Sequence, residues 1–203
     1  MLLDNIKWLG HSGFKITGSK TVYIDPFKIN DDEPADIIIA THEHFDHLSV
    51  EDIKKIKTGD TVIITTKDCF SKVSGNVRTI DIGQTLEVDG IKIEAVPAYN
   101  LNKEFHPKHN KWMGVVLTID ERRIYHAGDT DNIPEMSNLK NIDIALLPVS
   151  GTYVMTAEEA ANAANMIKPK VAIPMHYGSI VGTALDAEKF KELCLCKVVI
   201  MKH

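Results

Sequence analysis

The sequence predicts an α/β fold, a four-layer αβ/βα sandwich in which two mixed β-sheets lie face to face with helices outside. Three observations carry this. Short apolar or alternating segments bounded by Gly, Ser, Thr or Pro open the chain and recur along its middle. Helical segments with capping signals follow strands in both halves. The chain has 203 residues, 44% of them apolar, enough to bury a full core as one domain, 1–203. Strands and helices in both halves suit two mixed sheets better than a simple doubly wound order.

From the N-terminus, "NIKWLG", "GFKIT" and "TVYID" read as short strands, with "TGSKT" as a hairpin turn. "ADIIIAT" is a buried strand that runs into a polar loop. "SVEDIKKIKTG" follows as a helix, with Ser49 and Asp52 resembling a capping box, Ile53 and Ile56 on one face and Gly59 as the stop. "TVIIT", "NVRTID", "TLEVDG" and "IKIEAV" are again strands, and Asp89-Gly90 is a hairpin turn. "MGVVLTID" and "RRIYHAGD" continue the pattern. The period then becomes helical at "TAEEAANAANMIKP", which opens on Thr156 and Glu159 as a capping box and ends before Pro169; its alanine-rich face predicts close packing. "KVAIPMH" is a buried strand, "DAEKFKELC" a short helix and "KVVIM" a final strand. Residues 97–114, "PAYNLNKEFHPKHNKWMG", form the longest stretch without periodicity, as functional loops often do.

A net charge of −5 argues against general binding to nucleic acid or to an anionic membrane surface. The N-terminal stretch lacks a basic segment followed by a long apolar run, and no segment has the length to span a bilayer, so a cytoplasmic location is expected. Three cysteines, Cys69, Cys194 and Cys196, make an odd count and are expected as free thiols rather than a disulfide framework.

The chemistry concentrates where strands end. In "IIIATHEHFDHLS", residues 37–49, an aliphatic run passes into His42, His44, Asp46 and His47. His42 and His44 are one residue apart, so in an extended segment both project to the same side and converge on one ion, while Asp46 and His47 serve a neighbouring one. Imidazole with carboxylate is a ligand set for zinc, iron or manganese. Asp129 in "IYHAGDT" and His176 in "VAIPMHYG" follow two further apolar runs.

Together these residues resemble the metallo-β-lactamase superfamily, whose signature is His-x-His-x-Asp-His, then a later His, an Asp and a last His. "HEHFDH" matches at His42, His44, Asp46 and His47, "GDT" at Asp129 and "PMHYG" at His176, and the resemblance runs from "WLGHSGF" and "YIDPF" almost to residue 180. Within the superfamily the chain is similar to small single-domain hydrolases akin to ascorbate-6-phosphate lactonase and prokaryotic phosphodiesterases. The resemblance implies the αβ/βα sandwich and a binuclear site holding two divalent ions, zinc first, with manganese or iron as alternatives. By that analogy His42 and His44 hold one metal, Asp46, His47 and His176 the other, and Asp129 bridges. Asp25 in "IDPF" would orient the histidine loop.

The superfamily's middle histidine should end a strand, and there "IEAVPAYN" ends in Asn100 instead. His106 is the expected replacement, with His109 or an Asn100 carbonyl or water as the alternatives. Lys103, Lys108 and Lys111 make this loop basic, which suits a phosphate-bearing small molecule. Asn100, Lys108 and Tyr153 are the candidates for substrate contact, and Trp112 for packing beneath the loop. His11 in "GHSG" has no derived role.

The expected reaction is hydrolysis of a phosphodiester, or of a lactone or other ester of a small metabolite, by a metal-bridged hydroxide. Asp46 or His176 would manage the proton, and His106 would donate to the leaving oxygen if it is not a ligand. Two alternatives belong to other classes. One is an iron-dependent oxidoreductase on the same scaffold, whose di-iron electron-transfer members tend to carry Glu where His44 stands. The other is a metal- or nucleotide-binding module without catalysis.

Overall fold

The computed structural model describes residues 3–30 and 33–202. The first sheet takes its strands in chain order: β1 (Ile6–Gly10), β2 (Gly13–Thr17), β3 (Thr21–Ile24), β4 (Ile37–Ala40), β5 (Val62–Thr65) and β6 (Asn76–Thr79). Helix α1 (Val50–Ile56) joins β4 to β5. The opening strands are antiparallel, and β3 to β6 run parallel. The second sheet contains β7 (Thr85–Val88), β8 (Ile91–Pro97), β9 (Met113–Ile119), β10 (Arg122–His126), β11 (Ile144–Pro148), β12 (Val171–Met175) and β13 (Lys197–Val198). Here β7 to β10 are antiparallel neighbours and β10 to β13 are parallel.

Strand periodicity explains the layers. Along β4, Ile37 and Ile39 enter the core shared with the second sheet, while Ile38 and Ala40 face an outer cluster with Ile53 and Ile56 of α1. Both faces of β4 and β5 are therefore buried, and the run reads as continuous isoleucine and valine, as parallel strands covered on both sides do. Each such side chain contributes roughly 1.5–3 kcal/mol of burial. On the other flank, α2 (Ala157–Ile167) lies against β11 and α3 (Ala184–Leu193). Ala157, Ala160, Ala161, Ala163 and Ala164 are buried there, the close packing their small side chains predict. The two mixed sheets with helices outside match the expected sandwich.

Several local expectations change in the structure. Ser49 caps α1 by accepting the Asp52 N–H, but the Asp52 carboxylate does not return to the cap backbone. It accepts instead from the N–H groups of Lys28 and Ile29 at 2.7 and 3.2 Å, tying the loop after β3 to the helix. The Thr156–Glu159 box on α2 is complete, and Lys168 ends that helix in the left-handed region. α3 begins two residues before "DAEKFKELC", because Thr183 and Asp186 make a second complete box. Only Lys197 and Val198 of "KVVIM" pair as strand. β11 was not anticipated; its run "IALLP" has no alternation, because both of its faces are covered. The cysteines are free thiols, Cys69 buried and the others half-buried. No helix among the described residues is long and apolar enough to cross a membrane.

Candidate metal centre

The parallel strands of both sheets deliver their C-terminal ends to one edge of the sandwich, where open α/β sheets place their sites. β3 leads to Asp25, β4 to residues 41–47, β10 to Asp129 and β12 to His176. Three of the non-glycine residues here, His11, Asp25 and His176, have positive φ of 49°, 46° and 60°. Each costs of order 1 kcal/mol or more, strain that persists where surrounding contacts enforce it.

Residues 42–47 are bends and a turn rather than an extended segment; the N–H groups of His47 and Leu48 both return to the His44 carbonyl. The imidazoles still converge, but through the turn: His42 Nε2 lies 3.0 Å from His44 Nδ1. Asp25 sets this geometry. Its Oδ1 accepts the Thr41 N–H at 2.8 Å, and its Oδ2 accepts from Thr41 Oγ1 and from His47 Nδ1, each at 2.7 Å. Thr41 Oγ1, having donated its hydrogen to Asp25, accepts from His42 Nδ1 at 3.0 Å. One buried carboxylate thus fixes the tautomers of His42 and His47, leaving both Nε2 atoms facing the site.

Two groups of donor atoms result. His42, His44, His106 and Asp129 form one and His11, Asp46, His47 and His176 the other, with the donor atoms of each lying within 4.8 Å of one another. Asp129 faces both groups. Its Oδ2 is 3.2 Å from His106 Nε2 and 3.1 Å from His176 Nε2, and its Oδ1 is 3.2 Å from His47 Nε2. Donors held tetrahedrally at about 2.1 Å lie roughly 3.4 Å apart, so the donors of either group would draw inward onto a cation. Among the described residues, buried His47 Nε2, His106 Nε2 and Asp129 Oδ1 make no well-aligned hydrogen bond despite these approaches. Such atoms are costly unless something satisfies them, and a divalent cation fits this donor set.

The electrostatics agree with that fit. Burial opposes the charge on Asp129, yet the charges of His176 and His47, with the close approach of His106, hold its carboxyl well below the usual range. Burial, then His47, pushes His42 well below the ordinary imidazole value, and burial with His106 lowers His44. Burial also opposes the protonated form of His47, but Asp129 and Asp25 carry it well above that value. Anionic Asp129 with neutral His42 and His44 is the state metal ligation requires, and a cation would displace the His47 proton.

The departure at Asn100 has a structural answer. Asn100 does not project into either group; its Oδ1 accepts from the N–H and from Nδ1 of His106, both at 3.0 Å. Its Nδ2 donates to Asp131 and to the Tyr153 carbonyl. Asn100 therefore holds His106 with Nε2 turned inward, and His109 stays exposed in a 3₁₀ turn, outside both groups. Trp112 lies beneath, its ring 4.8 Å from those of His42 and His44 and its Nε1 donating to Asp68 at 2.6 Å. Lys108, a candidate for substrate contact, does not line the cleft over the centre; it lies over the Tyr99 ring and pairs with Glu135. Tyr153 does line that cleft, beside Asp46, His106 and His176.

Sequence reasoning missed several contributors. His11 Nε2 meets Asp46 Oδ2 at 2.9 Å, and the His11 carbonyl accepts the His176 N–H at 2.8 Å. His126, directly ahead of "AGD", donates Nε2–H to the Ser12 carbonyl at 2.8 Å and accepts the Gly128 N–H on Nδ1 at 3.1 Å. It thereby links the Asp129 turn to the turn that carries His11. Gly128 has φ +63°, and a Cβ there would stand 2.7 Å from the Met113 carbonyl, so the turn requires glycine. Ser150 Oγ is 3.0 Å from His176 Nδ1. A histidine closing an apolar run was the available signal for His126; a lone serine gives none.

Comparison with known proteins bears on this arrangement. The family model described as the beta-lactamase superfamily domain matches residues 5–176. A UPF0173 metal-dependent hydrolase of Thermococcus onnurineus is 36% identical, covering 97% of this chain and 96% of the relative. The crystal structure of a Parabacteroides distasonis protein assigned as a metal-dependent hydrolase superposes with TM-score 0.86 at 38% identity, covering 96% of this chain and 91% of that one. Igni18, a metallo hydrolase of Ignicoccus hospitalis, shares the fold with TM-score 0.79 at 24% identity, over 97% and 94% of the two chains. The strand-end histidines and aspartates thus sit on the scaffold their order suggested, and the chain belongs to the metallo-β-lactamase superfamily, among its UPF0173 metal-dependent hydrolases.

Proposed function

We propose that the protein is a binuclear metal-dependent hydrolase acting on a small molecule, with a phosphodiester or a lactone or other ester as the bond cleaved. The observation that carries this reading is the position of Asp129, whose two carboxylate oxygens face histidines of both donor groups. His42, His44 and His106 would hold one ion, Asp46, His47 and His176 the other, and Asp129 both. Zinc suits the imidazole-rich set best, with manganese and iron as alternatives. Bound divalent ions supply a nucleophile from water at neutral pH and polarise the bond under attack.

The chain's own residues do the remaining work. Asp25 and Asn100 keep the donor nitrogens aimed. Asp46, 12% exposed at its side chain and gripped by His11, is placed to hold the proton released from water. Burial raises the pKa of Asp46, but the His11 hydrogen bond and the charge on His47 bring it below the ordinary value, so the carboxylate is ionised at neutral pH. His176 has both ring nitrogens engaged, Nε2 toward Asp129 and Nδ1 at Ser150 Oγ, and serves as a ligand rather than in proton handling. The cleft over these residues, about 460 Å³, has the volume of a small-molecule site.

The test is a panel of phosphodiester, lactone and carboxylic ester substrates assayed with the zinc-, manganese- and iron-loaded protein. Turnover that chelation removes and metal restores is expected. A fully loaded protein that turns over none of them would overturn the hydrolase reading.

A further inference from the structure

The described walls of the metal cleft are largely apolar and their one lysine is paired with a carboxylate, and this bears on the substrate. Phe45, Phe105 and Ile180 are among the large hydrophobic side chains left exposed by the fold, at 68%, 49% and 39%, and all line this cleft with Tyr153. Solvent-facing phenyl rings gathered at one opening mark a surface that gains by being covered. Phe45 comes from the 42–47 turn and rests edge-on against Phe27 at 5.7 Å; Phe105 comes from the 99–112 loop and meets Tyr153 edge-on at 4.6 Å. Each ring is thus braced before any ligand arrives, which lowers the ordering cost of binding.

The charges point the same way. Among the described residues lining the cleft, the one lysine is Lys72, and it is already paired with Glu43. The lysines that made the 99–112 loop basic are spent elsewhere: Lys103 on Asp131, Lys108 on Glu135, and Lys111 beside a separate hollow with Lys67 and Asp81. A phosphate or carboxylate tail would find no unpaired cation on these walls, and its desolvation would go uncompensated.

We propose that the cleft selects an uncharged substrate whose aryl or alkyl group packs between Phe45 and Phe105, a neutral ester or lactone rather than a phosphorylated metabolite. This rests on the hydrolase reading and narrows it. Water adds its oxygen to the acyl carbon, the acyl C–O bond breaks, and the products are a carboxylate, an alcohol and one released proton.

The experiment compares 4-nitrophenyl butyrate, the anionic mono-4-nitrophenyl succinate and bis(4-nitrophenyl) phosphate on the metal-loaded protein. The butyrate should exceed the succinate in kcat/KM by about tenfold, the scale on which apolar pockets discriminate. Phe45→Ala and Phe105→Ala should raise KM for the butyrate several-fold with kcat little changed. A preference for the succinate or the phosphodiester that Lys72→Ala removes would overturn the proposal. If none of the three is turned over, nor any lactone, the hydrolase reading falls, and binding of non-hydrolysable butyranilide decides the specificity separately. Weaker binding to Phe105→Ala than to the wild type would keep the apolar site; equal binding would overturn it.

Discussion

The two loops that feed the metal centre are built on opposite plans. Residues 42–47 follow a strand buried on both faces and place His42, His44, Asp46 and His47 in one turn, in which a single buried carboxylate, Asp25, orients His47 directly and His42 through Thr41. Residues 99–112 form a long excursion between β8 and β9 that delivers one donor, His106. That loop is braced piecemeal, by Asn100 on His106, Asp131 on Asn100 and Lys103, Glu135 on Lys108, and Asp68 on Trp112. A dense ligand cluster can be organised by one anchor because its members share a backbone; an isolated ligand on a long loop needs many small ties. Damage to the first loop should therefore spread to both donor groups, and damage to the second should stay local.

The largest effect should come from Asp25→Asn, which keeps the shape but removes the charge that orients His47 directly and His42 through Thr41. Affinity at both donor groups should fall, by roughly 10–100-fold each, with the ions titrated against a chromophoric chelator. Loss at one group alone would break the single-anchor account.

Asn100→Ala should weaken only the group containing His106, by about tenfold or more, and leave the other near the wild-type value in the same titration. Equal weakening of both would show that the two loops are coupled more tightly than their contacts suggest.

Asp52→Asn tests the support behind the first loop, because Asp52 ties Lys28 and Ile29 to α1 immediately after the ligand turn. Burial raises the Asp52 carboxyl, but hydrogen bonds from Lys55 and Ser49 leave it below its ordinary value. Its contribution is then present above the unfolded carboxyl pKa of about 3.9 and is lost as pH falls through the lower folded value. Urea melts should show the variant less stable by about 1 kcal/mol at neutral pH, discounted for the solvent reaching Lys55. The gap should narrow below about pH 4; a gap that widens on acidification would reverse the sign assigned here.

The smallest effect is expected from Lys108→Ala. Its ammonium lies over Tyr99 and beside Glu135, away from the cleft, so kcat/KM on any turned-over substrate should be unchanged. A selective loss on phosphorylated substrates would return this lysine to the site.

The same contrast explains what could be read in advance. Ligands that share a turn after an isoleucine-rich strand announce themselves, because burial on both sides forces an unbroken apolar run and the polar cluster stands out against it. His106 could be chosen over His109 only by position, since nothing in "EFHPKHN" says which imidazole Asn100 will hold. His11 and Ser150 were illegible for a related reason: their partners, Asp46 and His176, are 35 and 26 residues away. β11 has the same unbroken burial as β4 and β12, but no ligand residue closes its run to set it apart. The basic character of the 99–112 loop was overread because sequence displays charge without showing that Asp131 and Glu135 pair with Lys103 and Lys108.

The central claim is that two donor groups share Asp129, with His106 completing one of them. Metal stoichiometry by plasma mass spectrometry, on wild type and His106→Ala purified without added metal or a metal-binding tag, tests it most directly. The account predicts about two ions per chain in the wild type and about one in the variant, with the fold intact by circular dichroism. One ion or none in the wild type after metal titration, or an unchanged count in His106→Ala, would contradict it.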